Sequence, residues 1–147
     1  MRYFTLSWWR GMQSGEGDDP VAGYAAHLAP IRDLLPPDLL ATEESVSLHD
    51  ARLRELCFLT AESSLLLVLS SYAGDETLKL SYSGVERFES RADPDVGLRG
   101  PFGYGDLGYC EVNVMTGGAF EHRLLFSSGI ELVVVFGGFR LHRTRTV

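Results

Sequence analysis

Phe4, Trp8 and Met12 recur at four-residue spacing, the period of one helix face, with Thr5 or Ser7 placed to cap the start; a short helix is expected over residues 5–13. Asp19-Pro20 then sets a capping carboxylate before a proline, whose missing N–H costs nothing at a helix start, so a second helix should begin there. Its apolar face reads Val21, Tyr24, Ala25, Leu28, Ile31 and Leu35, with Pro30 kinking or splitting it and Pro36-Pro37 ending it. Residues 38–41 offer one more turn before a polar linker at 42–45.

From Val46 the period becomes extended. Leu48, Leu53, Leu56, Phe58 and the run Leu65–Leu69 are bounded by turn residues, and Gly74-Asp75 lies between that run and the alternating Leu78, Leu80 and Tyr82, which predicts a hairpin. Val85–Glu89 reads as a further short strand. Residues 91–108 break every period, with five glycines and two prolines, and read as a long loop. Tyr109–Met115, Phe120–Phe126 and Ile130–Phe136 follow, separated by Gly117-Gly118 and Ser128-Gly129, as a three-stranded meander; Gly137-Gly138 marks a bend before a last strand, Phe139–His142. About seven or eight strands without βαβ alternation predict an α+β fold, with short N-terminal helices followed by an antiparallel sheet or sandwich-like arrangement.

The length of 147 residues suits a single domain, 1–147, with a helical section at 1–45 and a β section at 46–147. Neither apolar run approaches the roughly 20 residues of a membrane-spanning helix, and no signal-type segment opens the chain, so a soluble cytoplasmic protein is expected. Cys57 and Cys110 lie far apart in apolar segments and are expected as reduced core residues. The net charge of −7 disfavours nucleic acid, and the acidity is concentrated early: residues 1–50 hold three Arg against eight Asp or Glu.

The opening Met1-Arg2-Tyr3-Phe4-Thr5-Leu6-Ser7-Trp8-Trp9, followed by Met12-Gln13, resembles the start of an uncharacterised bacterial family of unknown function, whose members begin Met-Lys-Tyr-Phe-Thr-x-x-Trp-Tyr. Ser47-Leu48-His49-Asp50-Ala51-Arg52-Leu53 resembles the Leu-His-Asp-Ser element before that family's strands, with Ala51 where Ser is usual. The helical section is shorter than in the family. The resemblance implies a fold and a bacterial origin, and no chemistry.

Among polar motifs, His49-Asp50 is the sharpest, because a carboxylate beside an imidazole fixes the ring for use as base or ligand. Neighbours on a strand point to opposite faces, however, and a turn with Asp50 capping backbone N–H groups is the expected structure. Asp93-Pro94-Asp95 opens like a calcium loop but lacks the third alternating ligand and the distal Glu, so it reads as a turn. Cys57, Cys110, His49 and His122 show no zinc-ligand spacing. No Gly-x-Ser-x-Gly elbow and no phosphate-binding glycine pattern occurs. Phe102, Tyr104 and Asp106 in the glycine-rich loop are the best candidates for an exposed contact surface.

These features predict a non-catalytic bacterial binding or interaction module, for instance of immunity type, that takes a basic protein partner by charge complementarity and carries no cofactor or metal. Glu16, Asp18 and Asp19 would supply the steering charge. The alternative is a small-molecule-binding protein or weakly marked enzyme, with a pocket beneath the loop at 91–108 where His49, Asp50, Tyr104, Asp106 and His122 converge.

Overall fold

A change of period near residue 46 divides helix from strand in the computed structural model, which describes residues 1–12, 15, 19–92 and 103–145. Before it lie α1 (Leu6–Met12), α2 (Val21–Ile31), a 3-10 turn at Arg32–Leu34, and α3 (Pro37–Glu44). After it come β1 (Arg52–Leu59), a 3-10 turn at Thr60–Glu62, β2 (Ser64–Ser70), β3 (Glu76–Ser83), β4 (Arg87–Arg91), β5 (Leu107–Val114), β6 (Phe120–Phe126), β7 (Glu131–Phe136) and β8 (Gly138–Arg145). Thr5 Oγ1 accepts the Trp8 N–H at 3.1 Å and Asp19 Oδ1 accepts the Val21 N–H at 2.9 Å, so both helix-start signals act as expected. Among the described residues no helix is long and apolar enough to cross a membrane.

The strands form two antiparallel four-stranded sheets, ordered β1-β2-β3-β8 and β4-β7-β6-β5. A single ribbon joins them. β3 pairs with β8 in the first sheet, and the same two chain segments run on as β4 and β7 in the second. Ser83 stands opposite Gly138 and Arg87 opposite Val135, so the register slips by one residue between the two pairs, the bulge that lets a ribbon change sheets. Gly84 takes a left-handed φ of 58°, and the Gly137 N–H donates to the carbonyls of Ser83 and Gly84 at 3.0 and 3.1 Å. A second seam closes β1 on β5: the Asp50 N–H donates to Leu107 O at 2.7 Å, the Leu107 N–H donates to Ala51 O at 2.8 Å, and Arg52 bridges Asp106.

Alternation packs one core between the sheets. Leu65, Leu67 and Leu69 of β2 and Leu78, Leu80 and Tyr82 of β3 meet Leu124 and Phe126 of β6 and Leu132, Val134 and Phe136 of β7. Leu35 and Leu39 join that cluster from the helical section, and Val46 and Leu48 from the segment between α3 and β1. α2 and α3 thereby plug the corner between the edge strands β5 and β8, and their side chains stand in for missing strands. The Tyr24 hydroxyl accepts the Val112 N–H at 2.9 Å, His27 Nε2 lies 3.1 Å from Val112 O, and Asp38 Oδ2 accepts the Leu141 N–H at 3.0 Å. The N-terminal strap is held by Glu111 of β5, whose carboxylate accepts the N–H groups of Arg2, Tyr3 and Phe4 at 2.6–2.7 Å. Trp9 lies flat enough on Gly108 that a Cβ there would fall 2.3 Å from its ring.

Several local expectations shift. Residues 42–44 continue α3 rather than forming a linker, because buried Thr42 returns its hydroxyl to Leu39 O at 2.6 Å and stays in the helix. Val46 and Leu48 are buried but lie outside any strand; the first strand starts at Arg52. Val21 is 55% exposed and Ala25 is exposed as well, so α2 turns only Tyr24, His27, Leu28 and Ile31 inward. No residue of α1 is fully buried, and Met12 of its stripe is 48% exposed. Cys57 is an exposed residue of β1, not a core one, and both cysteines are free.

Candidate functional site

The residues singled out by sequence occupy different environments. His49 and Asp50 form a turn in which Asp50 takes a left-handed φ of 61°, and there His49 Nδ1 meets Asp50 Oδ2 at 3.1 Å, a pairing that a strand would have forbidden. The His49 ring stands edge-on to Tyr109 at 5.8 Å. Asp106, on the same β1–β5 seam, receives Arg52 Nε at 2.8 Å, while its own N–H donates to Ser127 Oγ at 2.9 Å. The clefts that His49 and Asp106 line are separate ones.

Tyr104 packs on Phe126 with ring centroids 5.4 Å apart, and its hydroxyl lies 3.3 Å from Ser90 Oγ of β4. His122 is sealed between the sheets, with Nδ1 2.8 Å from the Tyr82 hydroxyl, and burial pushes its pKa down to about 3. It is a neutral core imidazole. Phe102, Glu16, Asp18 and Asp93-Pro94-Asp95 lie outside the described residues.

The strongest exposed feature lies elsewhere, at the corner between the other two sheet edges, β1 and β4. Beyond the Arg52–Asp106 bridge, β1 pairs with β2 alone among the described residues, and β4 pairs with β7 alone. Leu56, Phe58 and Leu59 of β1 are 36%, 38% and 48% exposed, and Phe58 stacks at a tilt on Phe88 of β4 with centroids 6.0 Å apart. A backbone hydrogen bond ties the two edges together at their far end, where the Val85 N–H donates to Ser63 O at 2.8 Å.

Glu62 and Glu86 stand beside that link, and Glu55 lies on β1 itself; none of the three has an ion-pair partner among the described residues. Of the arginines nearby, Arg87 pairs with Glu89 and Glu121 and Arg91 with Glu89, whereas Arg54 gives Nε to the neutral Ser70 Oγ at 2.9 Å and keeps its charge. The corner is therefore apolar at its centre, with three unpaired carboxylates against the single unpaired Arg54 around it. Sequence reasoning missed it because the Leu56–Leu59 segment carries the same apolar signal as a core strand, and only the sheet order makes it an edge.

Among the described residues no group of three His, Cys, Asp or Glu side chains is placed to hold a metal ion. In comparisons with known proteins, the chain matches no family model and no curated protein.

Proposed function

We propose that the chain is a non-catalytic interaction module that binds a basic protein at the β1/β4 corner. The carrying observation is the exposed Phe58–Phe88 pair with Leu56 on one side of β1, Glu55 and exposed Leu59 on its other side, and unpaired Glu62 and Glu86 at the adjoining turns. Exposed aromatic and leucine side chains supply the desolvated centre of an interface, while unpaired carboxylates steer and select a cationic partner. The open strand edge adds unsatisfied N–H and C=O groups to which a partner's strand can bond. The net charge of −7 acts in the same direction at longer range.

Exposed Cys57, in the middle of β1, provides a handle for the test. A photoactivatable maleimide on Cys57 is irradiated in a lysate of the source cells at low and high salt, beside the same label on a Phe58→Asp variant. The expected product is a basic protein cross-linked at low salt, weakened at high salt and lost in the variant. A cross-link to an acidic protein or to a second copy of the chain, one that survives Phe58→Asp, or none at all overturns the proposal.

A further inference from the structure

Glu43 lies near the end of α3 with its carboxyl turned under the helical plug, against β5. Oε2 accepts the Tyr24 hydroxyl at 2.8 Å, whereas Oε1 is buried and has no hydrogen-bond partner. A buried carboxylate oxygen without a donor is costly, and native structures rarely leave one so unless a ligand or solvent completes it. Beside it opens a cleft of about 460 Å³, lined by Phe4, Tyr24, Leu48, His49, Tyr109 and Cys110 among others.

Some neighbouring donors are engaged elsewhere, while the Tyr109 hydroxyl and the Cys110 thiol line the same cleft without meeting Oε1. Tyr24 gives its only O–H to Oε2 and receives the Val112 N–H, and among the described residues no Lys or Arg lines the cleft. His49 at the rim is paired with Asp50. The neighbouring Glu111 has its carboxylate filled by three strap N–H groups and adds negative charge. Burial, reinforced by Glu111 and opposed by the Tyr24 hydrogen bond, lifts Glu43 to about 7. The cleft thus combines aromatic walls, one free acceptor and a negative field.

We propose that this cleft, whose wall includes Glu43, binds a small organic cation with an N–H donor, an amine or amidine on an apolar body, whose nitrogen pairs with the Glu43 carboxyl while Phe4, Tyr24 and Tyr109 flank the charge. Aromatic faces attract such a cation, and the paired acids Glu43 and Glu111 repel an anion of the same shape. The cation pairs with the ionised carboxylate, and the proton that Glu43 gives up passes to solvent. The titratable groups around that carboxyl are Tyr24 from α2, Glu44 from α3 with its partner Arg32, Tyr109, Cys110 and Glu111 from β5, and His49 from the segment after α3; burial raises Tyr24 and Cys110, which stay neutral. This site is independent of the β1/β4 corner, so either proposal can fail alone.

The test uses benzylammonium as probe and benzoate as its anionic control, followed by amide chemical shifts in NMR. Benzylammonium is expected to give saturable shifts at Glu43, Leu48 and Tyr109, about tenfold tighter at pH 8 than at pH 6 because Glu43 ionises between them. Glu43→Gln keeps an acceptor for Tyr24 but should weaken binding about tenfold and remove its pH dependence. Benzoate should leave these amides unmoved. No saturable shift, equal binding of benzoate, or unchanged affinity in Glu43→Gln overturns the proposal, and the first two results need no variant.

Discussion

The two open corners of this sandwich solve the same physical problem in opposite ways. At the β5/β8 corner, unpaired strand edges are covered by α2 and α3, whose Tyr24, His27 and Asp38 complete the backbone hydrogen bonds while Leu35 and Leu39 fill the core. At the β1/β4 corner no described element does either, and Leu56, Phe58 and Leu59 remain in contact with solvent. An uncovered apolar edge is a liability that proteins usually blunt with charge or bulges. Here β1 has a register irregularity between Leu53 and Glu55, and carboxylates stand at the rim, so indiscriminate pairing is discouraged while an oppositely charged partner is favoured.

The contrast is most directly broken by truncating one anchor in each corner. Leu39 is fully buried, and Leu39→Ala should cost about 2–5 kcal/mol in urea denaturation, whereas Phe58→Ala should cost under about 1 kcal/mol. Equal losses would mean that the β1/β4 corner is structural core. Tyr24→Phe tests the edge substitution itself: it strands the Val112 N–H, and a loss of about 1–3 kcal/mol is expected.

A comparison of carboxylates sharpens the picture. Glu43 holds its proton to about pH 7 in the folded chain, against an ordinary 4.5, so the native state binds the extra proton between those values. Its contribution is complete below 4.5 and is lost as pH rises through 7. Glu43→Gln should therefore be more stable than the parent at pH 8 by about 1–3 kcal/mol and lose that advantage toward pH 4, while Glu86→Gln should stay within about 0.5 kcal/mol throughout. His122 has the opposite sign: depressed to about 3 from 6.5, it contributes stability above 6.5 that is lost as pH falls toward 3.

The smallest effect is chemical. Cys57 should be alkylated by iodoacetamide in the folded protein without a change in Tm, whereas the Cys110 thiol, raised by burial and by Glu43 and Glu111, should react only on unfolding. Added reductant should leave Tm unchanged as well, since neither cysteine is bridged.

Much of the fold was legible in local pattern. The Leu78, Leu80, Tyr82 alternation and the Gly74-Asp75 turn gave the β2–β3 hairpin, and the β5–β6–β7 meander and the Gly137-Gly138 bend follow from the same signals. The candidate sites were far less legible. His49-Asp50 was expected in a turn and lies in one, but the Asp50 carboxylate meets His49 Nδ1 where a backbone cap was expected; His122 shared the polar label of a ligand but is core. Glu43 sat in what reads as a linker.

By itself, then, the sequence determined where the first two helices begin, which strands of the hairpin and the meander pair, and which residues alternate on β3 and β6, because capping, turns and side-chain period act over a few residues. The tertiary structure decided which edges are covered. Leu56 and Phe58 alternate as Leu78 and Leu80 do, but a strand's burial depends on what lies across and beside it, and that is fixed by contacts between segments far apart in the chain. The same distance dependence made Glu43 a buried acid: its partner Tyr24 and its neighbours on β5 come from other elements, and no spacing along α3 announces them.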